Sequence, residues 1–149
     1  MLQELPADEN GFMNPMKGKS YDEYKEWLKR AKHNSEQVGM IDGWKVPETT
    51  FWFFEDGKPV GYGKIRHFLT DKLLKEGGNI GYSICPSARN KGLGKKFVEN
   101  LIIESKKIGV NRLLFTIKND NLASIKAALS NGGVIERKSD ERHYIYIDL

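Results

Sequence analysis

The sequence predicts a single α/β (α+β) domain in which helices flank a mixed central β-sheet. Three observations predict it: amphipathic helical segments alternate with short apolar strand segments, glycine and proline mark the junctions, and no repeat or low-complexity linker divides the chain. At 149 residues the chain has the length of one domain, so residues 1–149 are expected to fold as a unit. Residues 1–20 offer no convincing strand and are expected to be irregular or poorly ordered.

The first half of the chain predicts a helix followed by a hairpin. Ser20 and Glu23 form a capping-box pattern, and apolar residues then recur at helical spacing, so a helix is expected from Tyr21 to Lys32. The segment TTFWFFE is rich in β-branched and aromatic residues, and Asp56-Gly57 separates it from VGYGKIRHF. This pattern predicts two antiparallel strands joined by a tight turn.

The second half predicts two further helices and four strands. LTDKLLKEGG is expected to be a short helix or an ordered loop, and NIGYSIC a strand that stops at Pro86, because proline cannot donate to a β-ladder. An apolar stripe from Leu93 onward predicts a long amphipathic helix that ends near Gly109. The segment NRLLFTI is then expected to be a strand, and LASIKAALSN is expected to be a helix that ends at Gly132-Gly133. The last two strands are expected at VIE and HYIYI.

The composition restricts the classes of function. Hydrophobic residues make up 39% and charged residues 30% of the chain, a balance typical of a folded protein. A formal net charge of +4 favours a small anionic ligand over a nucleic acid. The single cysteine excludes an intrachain disulfide, no Cys/His spacing predicts a metal site, and no stretch approaches the ~20 apolar residues of a membrane span. A cytoplasmic protein without membrane or nucleic-acid partners is expected.

The segment CPSARNKGLGKK, between a strand and the long helix, has the features of an anion site. Gly92 and Gly94 allow the backbone to approach a ligand, and the helix that follows presents unpaired N–H groups and the positive end of its dipole. Arg89, Lys91, Lys95 and Lys96 add positive charge, and phosphate is the usual occupant of such a junction. No Walker loop is present. A plain turn is the alternative interpretation.

These residues carry a resemblance to a known family. The run Arg89–Gly94, with sequence RNKGLG, resembles the R/Q-x-x-G-x-G/A signature of the GNAT superfamily of N-acetyltransferases, and Pro86–Arg89 resembles the turn that precedes it there. Downstream, NDNLASIKAALSNGGVIE is similar to the second conserved block of that superfamily. The resemblance covers about Tyr21 to Leu149 and implies a small bacterial-type acyltransferase of unassigned substrate.

The resemblance implies direct transfer of an acetyl group from acetyl-coenzyme A to an amine of a small molecule or peptide. In that superfamily the signature loop holds the pyrophosphate of the cosubstrate, and the end of the preceding strand meets the pantetheine and thioester. The cofactor-binding residues that it implies are Ile84, Cys85, Arg89, Asn90, Lys91, Gly92, Leu93, Gly94, Lys95, Asn119, Asn121 and Ser124. Relatives are commonly dimeric, which implies a homodimer as one assembly open to this chain.

Two of these residues also have simpler interpretations. Asn121 is at least as well explained as a helix cap, which is compatible with a ligand contact. Cys85 is better explained as a small packed hydrophobic residue than as a nucleophile, since the resemblance implies no covalent intermediate.

The resemblance leaves the catalytic acid and base open. Many relatives have a tyrosine where this chain has Ala128, and a glutamate where it has Asn79, whose amide has no useful basicity. His67 and Tyr146 are the candidate catalytic residues, with structural packing as the alternative for each. Arg66 and Asn79 are the candidate substrate-binding residues. A catalytically silent sensor that binds acyl-coenzyme A is therefore the alternative to an enzyme.

Overall fold

The structure is a computed structural model that describes residues 1–36 and 43–149. The elements in these ranges are β1 (Asp8–Glu9), β2 (Phe12–Met13), α1 (Tyr21–Glu36), β3 (Glu48–Glu55), β4 (Lys58–Arg66), α2 (Asp71–Lys75), β5 (Ile80–Ile84), α3 (Leu93–Ile108), β6 (Arg112–Lys118), α4 (Leu122–Leu129), β7 (Val134–Lys138) and β8 (Arg142–Asp148). The predicted α/β class, with sheets and flanking helices, is confirmed. None of the helices in the described ranges combines the length and the hydrophobicity that a bilayer crossing needs.

The longer strands form two three-stranded sheets. One has the order β3-β4-β5 and the other the order β6-β8-β7, and every pair within them is antiparallel. The predicted turn between β3 and β4 is present: Asp56 and Gly57 have φ angles of 49° and 73°. Both values lie in the left-handed region that a two-residue type I′ hairpin turn requires.

The two sheets are joined through the side chain of Asn79, which is only 2% exposed. Its Oδ1 accepts a hydrogen bond from the Leu114 amide of β6 at 2.8 Å, and its Nδ2 donates to the Arg66 carbonyl of β4 at 3.0 Å. The Asn79 amide donates to the Leu114 carbonyl at 2.8 Å. Gly78 is required beside it, since a Cβ there would lie 2.3 Å from the Leu114 oxygen. The start of β5 is thereby fixed against β6.

Beyond this junction the two sheets separate. β5 pairs with β4 and β6 pairs with β8, and no ladder joins β5 to β6 in the described part of the chain. A cleft lies beside the far end of β5, where Ile84 and the loop that leads into α3 form part of its lining. The separation of the sheets positions the candidate site.

The helices pack on the sheets through aromatic and aliphatic side chains. α1 begins with the predicted capping box, continues four residues beyond the predicted Lys32, and packs Trp27 edge-on against Trp52 of β3. α3 ends at Gly109 as predicted, and its Phe97 ring stacks on Phe53 with the ring centroids 4.8 Å apart. α4 is shorter than predicted and ends at Leu129, before the glycine pair.

The N-terminal segment contains a hairpin that the sequence pattern did not predict. β1 pairs with β2 around Asn10 and Gly11, whose φ angles of 54° and 84° are again left-handed. Leu5, in the same segment, is fully buried in the main hydrophobic core. The hairpin lies against the first sheet, because Phe12 contacts the Tyr62 ring at a centroid distance of 4.9 Å.

We predict that Asn79→Ala destabilises the protein strongly. The substitution leaves the Leu114 amide and the Arg66 carbonyl buried without their Asn79 partner, and each lost partner costs about 1–3 kcal/mol. Urea unfolding should show a loss of about 2–6 kcal/mol in the free energy of unfolding. The exposed Asn100→Ala on α3 is the matched control and should stay within about 0.5 kcal/mol. Equal effects of the two substitutions would contradict this role of Asn79.

Candidate active site

The loop between β5 and α3 ends in a helix N-terminus with free backbone amides. Gly92 is the N-cap residue of α3 and has a left-handed φ of 75°. Because glycine has no side chain, the cap offers no side-chain acceptor to the first helix amides. The Lys96 amide donates to the Gly92 carbonyl at 3.3 Å, so the amides of residues 93–95 precede the first intrahelical bond. These N–H groups and the positive helix dipole favour an anion.

A cleft of about 470 Å³ opens beside this helix terminus, between the end of β5 and α4. It brings together nine of the predicted cofactor-binding residues: Ile84, Arg89, Asn90, Gly92, Leu93, Gly94, Lys95, Asn121 and Ser124. On the α4 side, the Asn121 side chain accepts from the Ser124 amide at 3.3 Å. The expected helix cap is therefore confirmed, and both residues also line the cleft.

Three predicted cofactor-binding residues do not line this cleft. Cys85 is 2% exposed and directs its Sγ to the Met1 carbonyl at 3.7 Å, and burial raises the pKa of its thiol. The Lys91 Nζ donates back to a carbonyl of its own loop at 3.4 Å. Asn119 Nδ2 donates to the carbonyls of Ser139 and Asp140 at 3.0 and 2.9 Å, so it shapes the turn between β7 and β8.

The basic residues of the loop differ in their partners. Lys96 forms an ion pair with Glu55 of β3 at 2.8 Å. Arg89 donates from Nε to the Ile84 carbonyl at 2.9 Å and from Nη2 to Glu9 at 2.7 Å, so its guanidinium joins the loop to the end of β5. Lys95 lines the cleft and has no ion-pair partner among the described residues. The charge available to a bound anion comes from Lys95, from the helix terminus and from Lys126 of α4, which also lines the cleft.

A second, smaller cleft of about 100 Å³ adjoins the first. The residues that line only this second cleft come from both sheets and include the charged residues Arg66, Glu76, Lys118 and Arg142. The two clefts share five lining residues: Glu9, Asn10, Tyr82, Asn121 and Ser124. The shared residues mark a junction in the opening between β5 and α4, where two ligands bound in the two clefts would meet.

Tyr82 stands at this junction, although nothing in the local sequence distinguishes it from a packed strand residue. Its ring packs edge-on against Phe97 with the centroids 6.0 Å apart, and its hydroxyl lies 3.9 Å from the position of a Cβ on Gly94. Burial raises the pKa of Tyr82, an effect that a hydrogen bond with the Ser124 side chain partly opposes. The phenol therefore keeps its proton at neutral pH and is suited to donate it.

Glu9 is the second junction residue that was not predicted. Its Oε2 accepts from Ser83 Oγ of β5 at 2.8 Å and from Arg89 Nη2 at 2.7 Å. A carboxylate from the N-terminal hairpin is thereby held against the strand end and the signature loop. The Asn10-Gly11 pair, a frequent hairpin turn sequence, was the one local signal for the element that carries it.

Of the four candidate catalytic and substrate-binding residues, only Arg66 lines either cleft. The His67 Nε2 shares a hydrogen bond with Thr49 Oγ1 at 2.8 Å, and burial lowers the pKa of its imidazole. The Tyr146 ring lies under the Arg112 guanidinium, 4.2 Å from its centroid, on the second sheet. The Asn79 side chain is used in the hydrogen bonds that join the two sheets.

Within residues 1–36 and 43–149, no three His, Cys, Asp or Glu side chains are placed to hold a metal ion.

The fold is similar to those of solved acetyltransferase structures. The N-acetyltransferase PseH of Campylobacter jejuni, in complex with acetyl-coenzyme A, is 18% identical with a TM-score of 0.62, over 99% of this chain and 94% of that chain. yncA from Salmonella typhimurium, with acetyl-CoA, is 17% identical with a TM-score of 0.61, over 99% and 82%. The aminoglycoside acetyltransferase AAC(6')-Ib, in complex with coenzyme A, is 19% identical with a TM-score of 0.59, over 68% of this chain and only 66% of that chain.

Comparison of sequences gives a family. No curated protein matches the sequence. The family model described as the acetyltransferase (GNAT) family matches residues 15–132, which is more than half of the chain. The predicted resemblance is thus confirmed, and the chain belongs to the GNAT family of acetyltransferases.

Proposed function

We propose that this protein is an N-acetyltransferase that transfers an acetyl group directly from acetyl-coenzyme A to an amine of a small molecule or peptide. One observation carries the proposal: the cleft at the Gly92 helix terminus joins a second cleft at the opening between β5 and α4. A donor in the first cleft and an acceptor in the second would meet at Tyr82 and Glu9. The acetyl-coenzyme A and coenzyme A complexes of similar folds support this choice of donor.

The first cleft has the chemistry that the donor requires. The free amides of residues 93–95 and the ammonium of Lys95 would hold the pyrophosphate, because oriented N–H groups and positive charge both stabilise phosphate oxygens. The end of β5 and the start of α4 would border the pantetheine, with Ile84 on one side and Asn121 and Ser124 on the other. Arg89 would act by fixing the loop against β5.

Acetyl-coenzyme A would supply an acyl carbon activated as a thioester. The backbone N–H of Ile84 is the proposed donor to the oxyanion that develops on that acyl group. The Ile84 carbonyl faces the cleft, since it accepts from Arg89 Nε, and the N–H and C=O of one strand residue share an edge. The Cys85 N–H is occupied, because it donates to the Val60 carbonyl at 2.8 Å. A donor fixed before the reaction stabilises developing charge without reorganisation.

Tyr82 is the proposed proton donor to the departing thiolate. Its hydroxyl lies at the junction of the clefts, and burial holds its pKa above the usual phenol value, so the proton is present until it is needed. The position occupied by tyrosine in many relatives holds Ala128, which is fully buried and lines neither cleft. The phenol would therefore come from the strand in place of the helix.

Acetyl-coenzyme A at a concentration about 100 times its Kd is expected to raise the melting temperature by about 5–10 °C. Gly92→Val should abolish this shift, because a β-branched residue opposes the left-handed φ that exposes the helix amides. Gly109→Val, at the other end of α3, introduces the same kind of strain, since Gly109 also has a left-handed φ and free space around its Cβ position. It should lower the melting temperature and keep the shift. Equal shifts in both variants would contradict the assignment of the loop.

Free-thiol release from acetyl-coenzyme A, measured against a panel of small amines, polyamines and peptides, tests turnover. At least one amine should raise release well above the rate with water alone. Cofactor binding without release for any amine would favour the silent sensor over the enzyme.

Tyr82→Phe should lower kcat by about 100-fold, because it removes the proton donor and leaves the ring packing intact. Its thermal shift with acetyl-coenzyme A should match that of the wild type. Tyr146→Phe, an equal chemical change outside both clefts, should keep the wild-type kcat. A Tyr82→Phe variant with full kcat would rule out the proposed proton donor.

A further inference from the structure

Glu9 occupies the position from which a carboxylate can reach the acceptor. It lines both clefts, whereas the signature loop lines only the first and Arg66 only the second. Its partner Ser83 immediately precedes Ile84, whose N–H is the proposed oxyanion donor. The inference below rests on the proposed function, since it assigns a role within that reaction.

The hydrogen bonds of Glu9 use one of its two oxygens. Both Ser83 Oγ and Arg89 Nη2 donate to Oε2, and Oε1 has no hydrogen-bond partner within the described part of the chain. The side chain is 28% exposed, so solvent or a ligand reaches it from the cleft. One oxygen therefore fixes the carboxylate in place, while the other is free to accept a proton.

The other acidic residue along the described walls is less suited to this task. Glu76 lines the second cleft only, forms an ion pair with Arg142, and is 54% exposed. Glu48 pairs with Lys64 at 2.7 Å and lines neither cleft. Glu9 is the one carboxylate among the described lining residues that borders donor and acceptor clefts together.

Packing of the N-terminal hairpin on β5 keeps Glu9 at the junction. The Phe12 ring covers Gly81, where a Cβ would lie 2.7 Å from the ring, and the Tyr62 hydroxyl donates to the Met13 carbonyl. The turn is closed by a hydrogen bond from the Gly11 amide to Asp8 Oδ1 at 2.9 Å. These contacts limit the motion of the hairpin relative to β5, the strand whose Ile84 N–H is the proposed donor to the acyl oxygen.

We propose that Glu9 is the catalytic carboxylate that binds the protonated acceptor amine and takes its proton. The ammonium transfers one proton to Oε1, which frees the nitrogen lone pair. The N–C bond then forms at the acyl carbon, the C–S bond breaks, and the sulfur gains the proton of Tyr82. The nitrogen's second proton restores the Tyr82 phenol, and Glu9 afterwards releases the first proton to solvent. The products are an amide and a free thiol, and one proton is released to solvent overall. The acceptor class is a primary amine that enters as a cation.

The test compares Glu9→Gln with Asp8→Asn in the full-length protein, with the most active amine of the panel as acceptor. Glutamine keeps an oxygen that can accept from Ser83 and Arg89 but cannot take a proton. We expect kcat/KM of Glu9→Gln to fall by about 100-fold or more, with the thermal shift by acetyl-coenzyme A equal to or larger than that of the wild type. Asp8→Asn removes a charge from the same hairpin and keeps the acceptor for Gly11, so its activity should stay within about twofold.

Two results would overturn the role of Glu9. If Glu9→Gln keeps full activity and shows a larger thermal shift with acetyl-coenzyme A, Glu9 only neutralises the charge of Arg89. Loss of both activity and the cofactor shift would make it a structural support of the loop. Absence of thiol release by the wild type with every amine would instead refute the proposed function, and this inference with it.

A second variant tests the same role without changing the carboxylate. Gly81→Val forces a side chain into the space of the Phe12 ring and should displace the hairpin from β5. We expect it to lose activity as Glu9→Gln does and to retain the shift by acetyl-coenzyme A. Wild-type activity in Gly81→Val, with displacement of the hairpin verified by proteolysis, would also overturn the proposal.

Discussion

The structure depends on two sheets that are joined at one end, through Asn79, and separated at the other. Asn79 uses both ends of its amide to connect β4 with β6, and Gly78 allows the backbones to approach closely. Past that point β5 and β6 have different partners, so their hydrogen-bonding edges face an opening. Backbone groups that a continuous sheet would pair become available to a ligand. Both clefts follow from this single separation.

The charges around the opening are balanced by contacts that cross the fold. Lys96 forms an ion pair with Glu55 of β3 and Arg89 forms one with Glu9 of the N-terminal hairpin, so the segment from the end of β5 to the first turn of α3 is attached to two elements at once. Lys95, Lys126 of α4 and the first amides of α3 are left for a bound anion. This mildly basic chain thus presents free positive charge to an anion on both sides of the cleft beside α3. The same contacts place an acidic side chain next to a basic loop.

Features set by local chemistry could be predicted from the sequence. The turn at Asp56-Gly57, the end of α3 at Gly109 and the loop at Gly92 each follow from neighbouring residues, and the structure has all three. The hairpin at Asn10-Gly11 had a local signal as well, but its strands have only two residues each. Periodicity cannot identify strands of that length.

Features set by distant contacts could not be predicted. Glu9 meets Ser83 and Arg89 across 74 and 80 residues of sequence, and no pattern in either segment indicates the contact. His67 was selected by its chemical type, yet its position relative to the clefts depends on how the two sheets separate. Tyr146 was selected in the same way. The resemblance to a family indicated the loop between β5 and α3 as a candidate site, while the position of Glu9 beside it depended on tertiary structure.

The most direct test of the account is a crystal structure of the protein with coenzyme A. The pyrophosphate oxygens should lie about 2.7–3.2 Å from the amides of residues 93–95. The thiol should lie in the opening between Ile84 and Tyr82, next to Glu9. Coenzyme A bound elsewhere, or a thiol directed away from the second cleft, would contradict the claim that the separated sheets bring donor and acceptor together.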